Sequence, residues 1–385
     1  DGNVKYIIGC INEIGKRQKA DNISGLLREP SLEEYVSSKS KNNITGYFMQ
    51  IGIDDFEEIN GRFGLKCGDE ILKQFSRCMQ SCINENQKIY ELGNGRFMIM
   101  DLVNHSKEDI LELYDELKKS IEVALEENAY RMVYTISVGI VEIDKEMQDY
   151  DTLIKYSEFA LNEAKKKGKN SCYFFTQDKY KQFIRRREIR VELQNAVDHN
   201  FKNFDIYYQP IIDIHTRNLI GAEALMRFKM KRNEQIEFVS PAEFISILEE
   251  SGLIIPAGRW ILRQAVACCK KWQEFIPEFK MNVNLSYVQI IKSSILDEIK
   301  QALKDYNLKP ALLGIEVTES GYLENTYHYK KLWSSLKEEG ITLVLDDYGT
   351  GYSNAYRLSN LTPHYIKIDR VLTQKVLSSN YERSI

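Results

Sequence analysis

Seven side chains in the second half of the chain have types that could do chemistry together: Gln209, Glu223, Asn284, Glu316, Asp346, Asp347 and Lys367. Four of them are carboxylates, which would repel one another if they converged without a cation. Hard oxygen ligands with no His or Cys among them favour Mg²⁺ or Mn²⁺ over zinc. Two such ions suit attack of a metal-bound hydroxide on a phosphodiester, because they clamp both the incoming and the leaving oxygen. Any one of these acids alone reads more simply as a helix cap or a surface salt bridge. Recurrence at successive strand ends reverses that reading.

The elements that must bring them together follow a strand–helix rhythm after Asn200. Apolar runs predict strands at Asp205 to Ile212, Leu219 to Phe228, Lys280 to Leu285, Leu312 to Thr318, Thr342 to Asp347 and Tyr365 to Ile368. Between them, helical spacing covers Pro241 to Glu250, Ala257 to Phe275, Tyr287 to Asp305, Tyr327 to Glu339 and a short Asn354 to Leu361. Repeated βα units predict a parallel sheet that right-handed crossovers can close into a TIM-type (β/α) barrel. The C-terminal ends of its strands face the active-site mouth. A complete barrel runs to roughly 250 residues, more than the stretch from 194 to 385. The last two strands are therefore expected to be missing and the barrel to be C-terminally incomplete.

The first half reads differently. Val4 to Cys10 is a strand, Ile44 to Ile53 an apolar strand, and Phe63 to Ile83 a helix with Ile71, Leu72, Phe75, Cys78 and Met79 on one face. Lys88 to Leu92 and Arg96 to Val103 flank Gly93-Asn94-Gly95, a hairpin signal because these residues tolerate positive φ. A helix at Lys107 to Glu127, a strand at Arg131 to Ile143, a helix at Asp151 to Lys167 stopped by Gly168, and a strand at Ser171 to Phe175 complete an α+β domain. From Gln177 to Leu193 the chain is polar and basic around Arg185-Arg186-Arg187. That run reads as a solvated helix linking two domains, or as an anion-binding patch.

Composition narrows the class. The 385 residues suit two or three domains, and 43% hydrophobic with 28% charged residues excludes a disordered or collagen-like chain. Lys plus Arg is 52 against 56 Asp plus Glu, so no strongly basic field points to a nucleic-acid polymer. The longest apolar runs, Phe97 to Met100 and Ala265 to Cys269, fall far short of the ~20 residues of a membrane span. Asp1-Gly2-Asn3 shows no signal-peptide pattern and no initiator Met, which is expected of a fragment. The 7 cysteines, Cys10, Cys67, Cys78, Cys82, Cys172, Cys268 and Cys269, form neither CxxC pairs nor zinc spacing. Reduced thiols in a cytoplasmic protein are the expectation, whether or not an upstream region tethers it.

The residues now carry a family resemblance. Tyr208-Gln209-Pro210-Ile211, Glu223-Ala224-Leu225-Met226-Arg227, Val283-Asn284-Leu285-Ser286, Glu316-Val317-Thr318-Glu319-Ser320, Asp346-Asp347-Tyr348-Gly349-Thr350-Gly351-Tyr352-Ser353 and Ile366-Lys367-Ile368-Asp369 resemble the ordered motifs of the EAL phosphodiesterases. The resemblance implies hydrolysis of cyclic di-GMP to linear pGpG by two Mg²⁺ or Mn²⁺ ions. It implies Glu223, Asn284, Glu316 and Asp346 as metal ligands, with Asp347 on the second ion. Lys367, Asp347 and Glu319 would be the catalytic set, Lys367 positioning water and phosphate and Glu319 holding the Asp346-to-Ser353 loop. Gln209, Leu225 and Arg227 would contact substrate, Arg227 by its guanidinium fork. A further glutamate on strand seven and a glutamine near strand eight belong to the family pattern but have no counterpart before Ile385, so the second metal site is incomplete in this chain.

Upstream, Asp21-Asn22-Ile23-Ser24-Gly25-Leu26, Phe56-Glu57-Glu58-Ile59-Asn60, Gly68-Asp69 and Ala164-Lys165-Lys166-Lys167-Gly168-Lys169-Asn170 resemble the GGDEF diguanylate cyclases, whose fold is nucleotidyl-cyclase-like (ferredoxin-like) α+β. The signature loop is here Gly93-Asn94-Gly95-Arg96-Phe97. Arg96 and Gly52 stand where that family places metal-binding carboxylates, and Asn84 and Gln87 fill the places of its product-inhibition Arg and Asp. A cyclase needs metal to neutralise a triphosphate, so cyclase activity is expected to be absent. Asn60 and Asp69 match guanine-contacting positions and Lys165 and Lys169 phosphate-contacting ones, which leaves GTP as an allosteric ligand or the domain as a folded spacer. The expected divisions are 1–20, the tail of a PAS-like sensor with its linker; 21–176, a degenerate GGDEF domain; and 177–385, an EAL domain. The family also implies a homodimer. The competing reading is a non-catalytic receptor for cyclic di-GMP or GTP that signals through a partner.

Overall fold

Alternation of side chains across strands settles which residues of the first half face which core. The computed structural model describes residues 20–39, 45–102, 106–126, 133–144, 149–232, 234–318, 326–349, 362–371 and 373–374. Two compact units divide the chain, Asp1–Phe183 and Ile184–Ile385. The expected strand at Val4 to Cys10, the short helix at Asn354 to Leu361 and the side chain of Glu319 lie outside the described residues.

In the first unit, strands β1 (Leu27–Arg28), β2 (Gly46–Ile53), β3 (Gln87–Gly93), β4 (Arg96–Asp101), β5 (Ile136–Ile143) and β6 (Cys172–Phe174) form one sheet in the order β1-β3-β4-β2-β5-β6. The central strand β2 is buried along its whole length and pairs antiparallel with β4 and β5. Its period of two sends Met49 and Ile51 into a core with Phe75 and Leu117, and Phe48 into a second core with Leu32, Val36 and Leu153. The hairpin read from Gly93-Asn94-Gly95 is present, with φ of 83°, 53° and 69° at the three residues. The helix expected from Phe63 to Ile83 is present as Leu65–Cys82, and a further helix, Phe56–Phe63, runs directly before it. Gly64, at φ 86°, separates them, a conformation that only glycine adopts cheaply.

The helix Gln177–Asp198 starts in one unit and ends in the other. Tyr180 and Phe183 join the rings of Phe159 and Phe175, while Ile189, Leu193 and Ala196 are buried in the second core. Two of its arginines, Arg185 and Arg186, are ion-paired with carboxylates of the second unit. Arg185 donates to Glu243 at 2.7 and 3.0 Å and pairs with Glu237 at 2.7 Å, and Arg186 reaches Glu250 at 2.8 Å.

The second unit holds β7 (Phe204–Ile212), β8 (Leu219–Arg232), β9 (Gln235–Val239), β10 (Lys280–Asn284), β11 (Leu313–Thr318), β12 (Thr342–Tyr348) and β13 (Tyr365–Ile368). The sheet order is β13-β12-β11-β10-β8-β7, with β9 beside β8. From β8 through β10, β11 and β12 to β13 the strands are parallel, with helices packed on the outer face, the mixed α/β arrangement of a TIM-type domain. The parallel rhythm does not extend to the first pair. β7 and β8 are antiparallel because the turn from Asp213 to Asn218 is far too short for a crossover. Asp213 ties that turn by accepting from the backbone of His215 and Thr216 at 3.1 and 2.7 Å. The run from Tyr287 to Asp305 is likewise two helices, Tyr287–Lys292 and Ile295–Asp305, the first opened by a Ser286–Gln289 capping box. No helix among the described residues is long and apolar enough to cross a membrane.

Close packing makes one prediction. A Cβ on Gly139 of β5 would stand 2.2 Å from the Leu161 amide nitrogen and 2.4 Å from the Ser157 carbonyl oxygen, both backbone atoms of the helix Tyr150–Lys166. Gly139→Ala is expected to cost roughly 1–3 kcal/mol by overpacking, seen as a lower urea midpoint for the full chain.

Candidate functional site

Parallel register carries the site residues to one edge of the second sheet. Asn282 of β10 lies opposite Glu223 of β8, Asn284 opposite Glu316 of β11, and Thr318 opposite Asp346 of β12. Glu223 is mid-strand, not terminal, because β8 runs on to Arg232 to pair with β9. Lys367 comes from the neighbouring strand β13. Its Nζ donates to Glu223 Oε2 at 2.8 Å, Glu316 Oε2 at 2.6 Å and Asp346 Oδ2 at 3.0 Å. Ligand oxygens of the three acids lie within 4.8 Å of one another.

One ammonium cannot neutralise three carboxylates. Burial alone would favour neutral Lys367, but its hydrogen bonds to Glu223 and Glu316 outweigh that and hold it above the ordinary lysine range. Glu316 is fully buried. Burial first, then the charge on Glu223, push it up to about 7 against the pull of Lys367. The excess negative charge and the all-oxygen donor set fit a hard divalent cation, and Glu223, Glu316 and Asp346 are the residues able to hold one. Asn284 adjoins them, its Nδ2 donating to Glu223 Oε1 at 2.7 Å.

Asp347 is not part of that three-acid group. It sits in the left-handed region at φ 57°, where β12 shifts register against β13, and its amide donates to Asp346 Oδ1 at 2.9 Å. Burial and then the charge on Asp346 raise its carboxyl above the usual range. Beside the acids opens a cavity of about 610 Å³ whose lining includes Leu225, Arg227, Glu249, Asn284 and Thr318. The Arg227 guanidinium lies over the Tyr207 ring at 5.2 Å and donates to the Met226 carbonyl at 2.9 Å. Gln209, exposed on β7, faces Glu223 in register. One residue escaped the sequence reading: Asn282, whose Nδ2 donates to Glu316 Oε1 at 2.7 Å. Its spacing of two from Asn284 on a strand, which puts both on one face, was the available signal.

In the first unit Gly52 and Arg96 are cross-strand partners. A Cβ on Gly52 would lie 3.1 Å from Lys165 Nζ, so an ammonium covers the place of a side chain there. Arg96 pairs with Glu158 at 3.3 Å, and Lys169 with Asp55 at 2.6 Å. A cavity of about 620 Å³ is lined by Asp55, Asn94, Arg96, Glu158 and Lys165 among others. Asn60, Asp69 and Lys169 are not in that lining. Asn60 Oδ1 is buried without a hydrogen-bond partner, close to Gly68.

Residues 190–385 match the model of the EAL domain, and residues 19–171 that of the diguanylate cyclase GGDEF domain. The signaling protein YkoW of Bacillus subtilis (strain 168) is 30% identical over 333 residues, 85% of this chain and 40% of that protein. The cyclic di-GMP phosphodiesterase PdeR of Escherichia coli (strain K12) is 27% identical over 374 residues, 95% of this chain and 54% of that one. The chain thus spans about half or less of the length of these relatives. A solved structure described as PaMucR phosphodiesterase, c-di-GMP complex, is 27% identical with a TM-score of 0.47, covering 51% of this chain and 78% of that one.

The raised carboxyl of Glu316 predicts a pH dependence. Between its ordinary value of 4.5 and about 7 the folded chain binds a proton that the unfolded chain lacks. The stability this group contributes is therefore complete below that window and is lost as pH rises through it. Glu316→Gln, which mimics the protonated acid, should gain more thermal stability over wild type at pH 8 than at pH 5, both measured in EDTA. An equal or smaller gain at pH 8 would contradict the raised carboxyl.

Proposed function

The chain belongs to the EAL domain family, with a GGDEF domain ahead of the EAL domain, and from that premise we propose that its C-terminal unit is a divalent-metal-dependent phosphodiesterase that hydrolyses cyclic di-GMP to linear pGpG. The observation that carries this reading is the convergence of Glu223, Glu316 and Asp346 on one point, linked through Asn284 to the cavity that Arg227 lines. Bound divalent cations would supply charge neutralisation and an activated water. Arg227 is suited to grip a phosphate by its fork once it leaves Tyr207. Leu225 and Gln209 flank the substrate side, and Lys367 orients the attacked phosphate. Glu319, next after Thr318, is proposed to hold the loop that follows Asp346.

For the N-terminal unit we propose an inert cyclase that acts as a regulatory domain, with GTP as its ligand through Lys165, Lys169, Asn60 and Asp69. Gly52 and Arg96 support the inert reading, since neither can ligate a metal where a cyclase requires one, and Lys165 and Arg96 place positive charge there instead.

The full chain with Mg²⁺ or Mn²⁺ is expected to release pGpG from cyclic di-GMP, followed by chromatography. Glu223→Ala or Asp346→Ala should lower the rate by roughly a hundredfold or more, the scale of losing one preorganised charge-stabilising group. Tight cyclic di-GMP binding with no turnover would replace the enzyme by a receptor. Incubated with GTP and Mg²⁺, the unmodified chain should make no cyclic di-GMP, and Gly52→Asp together with Arg96→Glu should be required before any synthesis is detected.

A further inference from the structure

The carboxylate group is braced from outside and filled from inside. Glu223 and Glu316 each spend one oxygen on an asparagine of β10: Asn284 Nδ2 holds Glu223 Oε1 and Asn282 Nδ2 holds Glu316 Oε1, each at 2.7 Å. Gly314 gives Asn282 its room, since a Cβ there would lie 2.1 Å from Asn282 Oδ1. The remaining oxygens, Glu223 Oε2 and Glu316 Oε2, join Asp346 Oδ2 around Lys367 Nζ.

We propose that Lys367 is an exchangeable counter-ion: its ammonium competes with a divalent cation for the same three carboxylates, and cation binding releases Lys367 toward the substrate phosphate. The inference rests on reading Glu223, Glu316 and Asp346 as a metal centre. Nζ touches all three oxygens at once, at 2.6 to 3.0 Å, and a divalent cation holding the same three at about 2.0–2.6 Å would need the space that Nζ fills, so the two compete for one position. Charge points the same way, because three carboxylates remain short of positive charge with one ammonium and attract two charges more strongly than one. Lys367 also has a way out. Its side chain is 34% exposed on a flexible stem, whereas Glu316 is sealed at 0%. The two asparagines, fixed to a strand, keep the carboxylates aimed after the lysine has gone.

The competing and bracing roles have opposite signatures in cation affinity, which makes them separable from a merely structural role. Mn²⁺ binding to the full metal-free chain would be measured by titration calorimetry. Lys367→Met removes the competitor and should bind Mn²⁺ at least about tenfold more tightly than wild type, a shift of about 1.4 kcal/mol. Asn282→Ala removes the brace and should bind it about 10- to 100-fold more weakly. Should Lys367→Met fail to fold in EDTA, recovery of its circular dichroism by Mn²⁺ at concentrations that leave the wild-type melting temperature unmoved would support the exchange. Weaker or unchanged Mn²⁺ binding by Lys367→Met, with wild type binding normally, would overturn the exchange and leave the metal centre standing. No Mn²⁺ binding by any of the three would overturn the metal centre itself.

Discussion

Three carboxylates gathered on one ammonium set the conditions for the whole C-terminal unit. Like charges this close are tolerable only where positive charge and hydrogen-bond donors are fixed among them. The unit meets that condition with Lys367, Asn282 and Asn284, drawn from two strands far apart in sequence. Register is what makes such an assembly possible. On the other face, Ala222 and Ala224 of β8, Met281 and Val283 of β10, Ile315 and Val317 of β11, and Leu343 and Leu345 of β12 are all buried. A slip of one residue in any of these strands would trade an apolar side chain for a carboxylate or amide in that core. The same apolar packing that holds the sheet together therefore also aims the site.

The helix Gln177–Asp198 shows a different economy. Its composition is so polar that only three residues are buried in full, Ile189, Leu193 and Ala196. It is held instead by rings at one end and by charge at the other. The Arg185 fork on Glu243 is half-buried and bidentate, geometry in which an ion pair is worth more than an exposed one. Glu243 and Glu250 belong to the helix Pro241–Ser251, which also lines the cavity holding Arg227 through Ile245 and Glu249.

What could be read from the chain divides along physical lines. Local signals were enough where one residue type dictates a conformation: the three positive-φ residues of the Gly93–Gly95 turn, and the acids at the ends of β11 and β12. Signals that depend on partners were not. An apolar run does not say which way its neighbour runs, so the antiparallel pairing of β7 with β8 had to be decided by the brevity of the Asp213-to-Asn218 turn. The pairing of β9 with β8, and with it the mid-strand position of Glu223, was likewise invisible. Asn282 carries no such local signal, because an amide on a strand looks like any polar residue until the acid it bonds is known. Arg185 and Arg186 looked like free charge for the same reason, their partners Glu243 and Glu250 being distant in sequence.

The ammonium over Gly52 has a consequence for any acid placed nearby. Gly52→Asp would set its acid beside Lys165 Nζ, 3.1 Å from the new Cβ, where the two would form an ion pair. Arg96→Glu would exchange a pair with Glu158, now closed at 3.3 Å, for two like charges. The two positions therefore differ in the charge that surrounds them: an acid at 52 meets a cation already in place, whereas an acid at 96 meets another acid.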